Sequence, residues 1–198
     1  MGKQSIAIDL DDVLASHAEA FVQFSNELYK TNLAVDEYSD RWSEIWRVEE
    51  EEAERRSAEF HTPAVIKTFG TKDEAFNTLC RLKEHYQLFV VTARRKMLID
   101  VTQEWLDKEF PNVFSGVHFV PIWEPNNTVT KAEISKEIGV TYLIDDLVQH
   151  CNLAAEAGIK ALLFGDYSWN SKVQLHKDVV RIKDWQSVAS FFDLGVKN

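Results

Sequence analysis

Residues 6–14 read IAIDLDDVL, and the reading of this stretch decides the fold. Ile6 to Ile8 is a short apolar run bounded by polar residues, the look of a strand covered on both faces in a parallel sheet. Three aspartates, Asp9, Asp11 and Asp12, follow within four positions. Open α/β sheets place their chemistry just past the carboxyl ends of such strands. Carboxylates crowded there repel one another and need compensation, most simply by a divalent cation. A solvated loop with an Asx turn and a helix cap is the plainer reading.

Outward from this stretch, Ala18, Phe21, Val22, Leu28 and Tyr29 fall at helical spacing and predict a helix over about 16–30. A second helix is predicted over 42–60. Its run Glu49 to Glu52 with Arg55 and Arg56 reads as a solvated face with i to i+4 pairs. Pro63 is expected to close the region. Thr71-Lys72-Asp73-Glu74 has the pattern of a capping box opening a helix through Leu79, Leu82 and His85. Strands are expected at 88–91, ending at Thr92, and at 116–120, separated by a helix from about 97 to 110. A second capping box, Thr130 to Glu133, opens a helix that stops at Gly139. Val140 to Ile144 is a fourth strand ending in Asp145-Asp146. A helix over 148–157, a fifth strand over 159–164 and a helix over 184–192 complete the chain.

From Thr71 onward helices and strands alternate with short links, which predicts an α/β, Rossmann-like three-layer fold around a parallel sheet. Residues 16–70 hold no predicted strand and cannot extend that sheet. They are expected to form a small helical cap, leaving 1–15 and 71–198 as the core.

Composition narrows the function. The chain has 198 residues, 45% hydrophobic and 27% charged, as in an ordinary globular protein. Its formal charge of −10 argues against a nucleic-acid polymer as partner but not against a small phosphate ester beside a metal ion. Cys80 and Cys151 lie at no metal-ligand spacing, so neither a disulfide framework nor a zinc site is expected. No apolar run matches a membrane span and no signal peptide is evident, so a cytoplasmic location is expected. A homodimer is compatible with the sequence without being required by it.

Four signals at strand ends should converge on one crevice if the sheet is parallel: Asp9 with Asp11, then Thr92, then Lys131, then Asp145 with Asp146. The chemistry they suit is phosphoryl transfer. Asp9 attacks phosphorus, Asp11 exchanges protons with the leaving oxygen and with water, and Mg²⁺ gathers carboxylate and phosphate oxygens. Thr92, nearby backbone N–H groups and Lys131 hold the remaining oxygens. Each signal has a plainer reading: Thr92 as the last residue of a strand, Lys131 as an exposed residue of a first turn. A lysine there opposes the helix dipole, a mild misfit that favours a functional reason.

Asp9-Leu10-Asp11-Asp12-Val13, Thr92, Lys131 and Asp145-Asp146, in that order, resemble the four motifs of the haloacid dehalogenase-like phosphohydrolases. The resemblance implies Asp9 as nucleophile, Asp11 as acid/base, and Thr92, Ala93 and Lys131 as phosphate holders. It also implies Mg²⁺ held by Asp9, the backbone carbonyl of Asp11, and Asp145, with Asp146 in support, under a C1-type cap. Within that superfamily the chain looks most like the 5′(3′)-deoxyribonucleotidases and their bacterial relatives. Those usually show glycine at the position of Asp12, and often Ser-Pro at the positions of Ala93-Arg94.

The expected partner is a small phosphorylated substrate, a nucleoside monophosphate above all. Trp42, His17, Tyr38, Phe21 and Trp46 fall in the cap; Phe21 and Trp46 read as its core, Trp42 as a base platform. Arg94 either reaches a second anionic group or pairs with a surface acid such as Asp100 or Glu104. A phosphatase for another small metabolite is the alternative. The rival from another class is a receiver-like phospho-acceptor, against which the position of Lys131 before the second acidic pair already speaks.

Overall fold

The structure is a computed structural model, and it describes residues 3–122, 126–171 and 173–194. In chain order the elements are β1 Ser5–Ile8, α1 His17–Tyr29, α2 Trp42–Trp46, α3 Glu50–Phe60, α4 Pro63–Ile66, α5 Ala75–His85 and β2 Gln87–Thr92. There follow α6 Ile99–Glu109, β3 Gly116–Phe119, α7 Lys131–Glu137, β4 Tyr142–Asp145, α8 Val148–Glu156, β5 Lys160–Phe164, β6 Val179–Ile182 and α9 Trp185–Phe191.

Among the described residues all six strands lie in one parallel sheet, ordered β3-β2-β1-β4-β5-β6. β1 is central, with Ile8 beside Val90 on one flank and Ile144 on the other. Strand order reverses between β1 and β4, which leaves a crevice past their carboxyl ends. Side chains alternate across the sheet. Ile6, Ile8, Ile144, Leu162 and Phe164 enter one core, and Ala7, Leu143, Ala161 and Leu163 enter the other. Both faces are covered, which is why these strands read as unbroken apolar runs.

Three expectations are corrected. The predicted helix over 42–60 is two helices, because Arg47 takes a left-handed conformation (φ 54°) between α2 and α3. Pro63 does not close its region but occupies the first turn of α4, where its missing N–H costs nothing. The capping box at Thr71 is not formed. Thr71 bridges Ala15, Lys72 N–H donates to the Leu14 carbonyl, and α5 starts at Ala75 behind a left-handed Glu74. Tertiary pairing there overrides a local pattern. A sixth strand, β6, also went unread, because Val179-Val180-Arg181-Ile182 is short and interrupted by a charge.

The capping box at Thr130 is formed: its side chain accepts from Glu133 N–H and Glu133 reaches back to Thr130 N–H. Arg55 pairs with Glu52 and Glu59 on the outer face of α3, whereas Arg56, expected on the same solvated face, pairs with Glu52 but lies over the Tyr29 ring at 4.1 Å with its side chain 17% exposed. Both cysteines are free. No helix among the described residues is long and apolar enough to cross a membrane.

Candidate active site

β1 and β4 end side by side, and their register delivers the acids: Asp9 N–H donates to the Ile144 carbonyl at 2.9 Å. Oxygens of Asp9, Asp145 and Asp146 lie within 4.8 Å of one another, and all three residues are buried. Lys131, in the first turn of α7, is 1% exposed and places Nζ 2.7 Å from Asp9 Oδ1 and 2.8 Å from Asp145 Oδ2. The ion pairs account for a buried lysine at the unfavourable end of a helix.

One ammonium does not neutralise three carboxylates. Burial pushes the Asp9 carboxyl up to about 6, Lys131 pulling against that and Asp145 adding to it. Asp146 is raised well above the carboxylate range by burial, then by Asp145, Asp9 and Asp12. Burial would raise Asp145 too, but Lys131 and His150 reverse the shift and hold it ionised. Asp145 Oδ1 accepts from Leu147 N–H at 2.9 Å and lies 3.2 Å from His150 Nδ1.

Asp11 faces differently. Arg94 donates to it twice, Nε to Oδ2 at 3.0 Å and a terminal nitrogen to Oδ1 at 2.6 Å. Against burial, Arg94 and then His17 hold this carboxyl well below the usual range. Arg94 is itself buried, donates to Thr102 Oγ1 at 3.1 Å and covers the Phe69 ring. It therefore turns inward, away from Asp100 and Glu104; Glu104 pairs with Lys67. Thr92 is buried at the end of β2, its hydroxyl accepting from Arg94 N–H at 3.2 Å, with Ala93 between them.

Asp12 stands at φ 59°, the left-handed conformation that glycine adopts freely. Its carboxylate accepts from Ala18 N–H at 3.0 Å, capping α1, and lies 3.4 Å from Lys72 Nζ. Residues 16–70 bring an aromatic layer to the site. His17 is buried and stands 5.3 Å from the Phe60 ring, and its Nδ1 shares a hydrogen bond with the Tyr38 hydroxyl. Trp42 is half-buried, 4.7 Å from Phe21, with His61 stacked on it at 5.3 Å and 14°. Phe21 and Trp46 are core residues, Trp46 donating to Ser25 Oγ at 2.9 Å.

The structure thus gathers Asp9, Lys131, Asp145 and Asp146 directly, with Asp11 and Thr92 joined through Arg94. Four neighbours were not anticipated: His61, Lys72, His150 and Trp169, whose Nε1 donates to Asp146 Oδ2 at 2.7 Å. A histidine four residues past an acidic pair was a readable signal for His150. Trp169 is too far along the chain for any local pattern to have shown it.

A parallel sheet of this order is common to doubly wound folds; with the family match over residues 3–197 the class is a haloacid dehalogenase-like phosphohydrolase. The fold matches solved structures throughout. A hydrolase of that superfamily, subfamily IA variant 1, from Geobacter sulfurreducens PCA superposes with a TM-score of 0.62 at 16% identity, covering 96% of both chains. A predicted phosphoglycolate phosphatase from Haemophilus somnus 129PT gives 0.67 at 16%, over 96% of this chain and 98% of that one. The sequence model described as "5′ nucleotidase, deoxy (Pyrimidine), cytosolic type C protein" matches residues 3–197, and the chain belongs to that family. "Putative nucleotidase YqfW" of Bacillus subtilis (strain 168) is 24% identical over 188 residues, 91% of this chain and 89% of that protein. The protein is a phosphatase of the 5′-nucleotidase-like kind. The receiver reading falls with this, since receiver domains have the flavodoxin-like strand order 2-1-3-4-5.

Proposed function

We propose that the protein is a Mg²⁺-dependent phosphomonoesterase acting on nucleoside (deoxy)monophosphates through a phosphoryl group carried on Asp9. The observation that carries this is the meeting of Asp9, Asp145 and Asp146 at the sheet's reversal, with Lys131 paired to the first two. The site fits the ion. Oxygens at about 2.1 Å from Mg²⁺ stand at most about 4.2 Å apart, close to the observed cluster. Three buried carboxylates with one lysine also leave negative charge for a cation to offset. Asp9, Asp145 and the Asp11 carbonyl would hold it, with Asp146 in support. Bound there, Mg²⁺ supplies Lewis-acid charge to the phosphate oxygens.

Lys131 occupies Asp9 Oδ1, leaving Oδ2 to attack. A bond forms from that oxygen to phosphorus as the ester oxygen leaves, and Asp11 gives the leaving oxygen its proton. Asp11 then takes a proton from the water that cleaves the acyl-phosphate, releasing phosphate and restoring Asp9. The Arg94 contacts keep Asp11 ionised, which suits the second step; for the first, Arg94 loosens as the phosphate arrives and Asp11 takes up a proton from solvent before passing it to the leaving oxygen. Thr92, Ala93 N–H and Lys131 hold the non-reacting oxygens.

Residues 16–70 act as the cap over a core of 1–15 and 71–198. The bridge between Ala15 and Thr71 supports this division, as does the lack of a strand among described residues 16–70. The family match and the rings of Trp42, Tyr38 and His17 support a nucleotide as substrate. His61 and His17 both stack on Trp42, so a base would meet only the part of the ring they leave exposed. The test is phosphate release from a panel of ribo- and deoxyribonucleoside monophosphates and p-nitrophenyl phosphate. Turnover of nucleotides, lost with EDTA and restored by Mg²⁺, is expected. Activity indifferent to chelation, or one phosphate bound per protein without turnover, would overturn it.

A further inference from the structure

The segment after β5, residues 165–171, holds no residue of the proposed chemistry, yet it is built around the acid cluster. Gly165 has φ 83°, and a Cβ there would fall inside the Tyr167 ring, so only glycine lets Tyr167 fold back. Tyr167 donates its hydroxyl to the Asp12 carbonyl at 2.7 Å and lies under Lys72. Trp169 stacks on Tyr167 with centroids 4.3 Å apart and planes 7° from parallel. Asn170 is fully buried and pins the turn, its amide donating to the carbonyls of Asp146 and Phe164, both at 3.0 Å.

Trp169 has two further contacts. Nε1 donates to Asp146 Oδ2 at 2.7 Å, and the ring meets that of Tyr38 in a T-shaped contact at 5.2 Å and 73°. Tyr38 belongs to residues 16–70 and its hydroxyl shares a hydrogen bond with His17 at 3.2 Å. A continuous path therefore runs from His17 through Tyr38 and Trp169 to Asp146. Buried indoles elsewhere in the protein donate to neutral oxygens, Trp46 to Ser25 Oγ and Trp185 to the Val13 carbonyl; the acceptor of Trp169 is an acid of the cluster.

We infer that Trp169 is a positioning residue that orients Asp146 and ties the cap's Tyr38 to the cation site, so that cation binding and docking of the cap strengthen each other. This rests on the reading that the acids hold a cation. Linkage requires the coupling to be reciprocal: what Tyr38 gains when the cation binds, the cation gains when Tyr38 is docked.

The test is calorimetric titration of the full chain with Mg²⁺ alone, with the melting temperature of each variant. Trp169→Phe keeps the stack and the face offered to Tyr38 but deletes the donor. Its Mg²⁺ dissociation constant is expected to rise about tenfold or more, the usual effect of losing an outer partner of a metal ligand. Tyr38→Ala touches no acid of the cluster, yet is expected to weaken Mg²⁺ about threefold. It should add nothing further in the Trp169→Phe background. A packing role alone would lower melting temperatures and leave Mg²⁺ affinity where it was. Unchanged affinity in Trp169→Phe overturns the inference, and so do independent, additive effects of the two substitutions. If the parent protein binds no Mg²⁺, the cation reading itself fails, an outcome distinct from equal binding by parent and variant.

Discussion

The sheet edge and the helical segment over it bury side chains on opposite terms. At the edge, Asp9, Asp145, Asp146 and Lys131 are charged groups removed from water and held by a few short contacts. In residues 16–70, Phe21, Trp46 and Phe60 are apolar rings sharing many contacts, with Arg55 and Glu52 of α3 left outside. Burying charge is unfavourable unless each group is paired, whereas burying rings is favourable in proportion to area. The edge thus gives up stability to hold charge, and the aromatic packing of residues 16–70 supplies stability. Substitutions at the edge should move rate first, and substitutions above it should move stability or substrate affinity first.

The sharpest way to break that contrast is Asp9→Asn. Hydrolysis is expected to fall at least about 10⁴-fold, as when other nucleophiles are removed, with the melting temperature unchanged or higher because a buried charge is gone. A marked loss of stability would place Asp9 in the scaffold. Asp11→Asn should cost about 10²–10⁴-fold with a nucleotide and clearly less with p-nitrophenyl phosphate, whose leaving group needs little protonation. Equal losses on both substrates would remove Asp11 from acid catalysis.

Lys131→Met is expected to destabilise by about 3–5 kcal/mol, because it strands two buried carboxylates. Added Mg²⁺ should then raise the melting temperature more in this variant than in the parent. Parent-like stability would show that the acids need no compensation.

Above the edge, burial lowers the His17 imidazole from 6.5 to about 4, working against the pull of Asp11. Between those values the unfolded chain binds a proton that the folded chain does not. This contribution to stability is complete above pH 6.5 and is lost as pH falls toward 4, by at most about 3 kcal/mol. Denaturation midpoints at pH 7 and pH 5 should therefore differ less in His17→Gln than in the parent. The smallest effect is expected for Trp42→Ala: a KM for nucleotides raised about three- to tenfold, in line with roughly a kcal/mol of lost ring contact, and none for p-nitrophenyl phosphate. A parallel rise on both substrates would make Trp42 a packing residue only.

The same contrast explains what could be read in the sequence. β1, β2, β4 and β5 are buried on both faces, so their apolar runs were plain, and the acids stand at fixed offsets from those runs. Lys131 was visible as an oddity, a cation at the wrong end of a helix. Partners set by the third dimension left no local mark. Arg94 meets Asp11 across 83 residues, and Trp169 meets Asp146 across 23. The break at Arg47 was hidden because the left-handed residue is not glycine. Thr71 displayed a capping pattern that pairing with Ala15 took over.

That pairing has a consequence for how such a protein can change. Ala15 and Thr71 form a narrow neck through which the chain leaves the sheet and returns. Lengthening a loop closed at such a neck is thermodynamically mild, about 0.6 kcal/mol for each doubling. Whatever sits beyond the neck can be rebuilt without shifting β1 by a residue, so residues 16–70 can vary while the acids at the sheet edge keep their places.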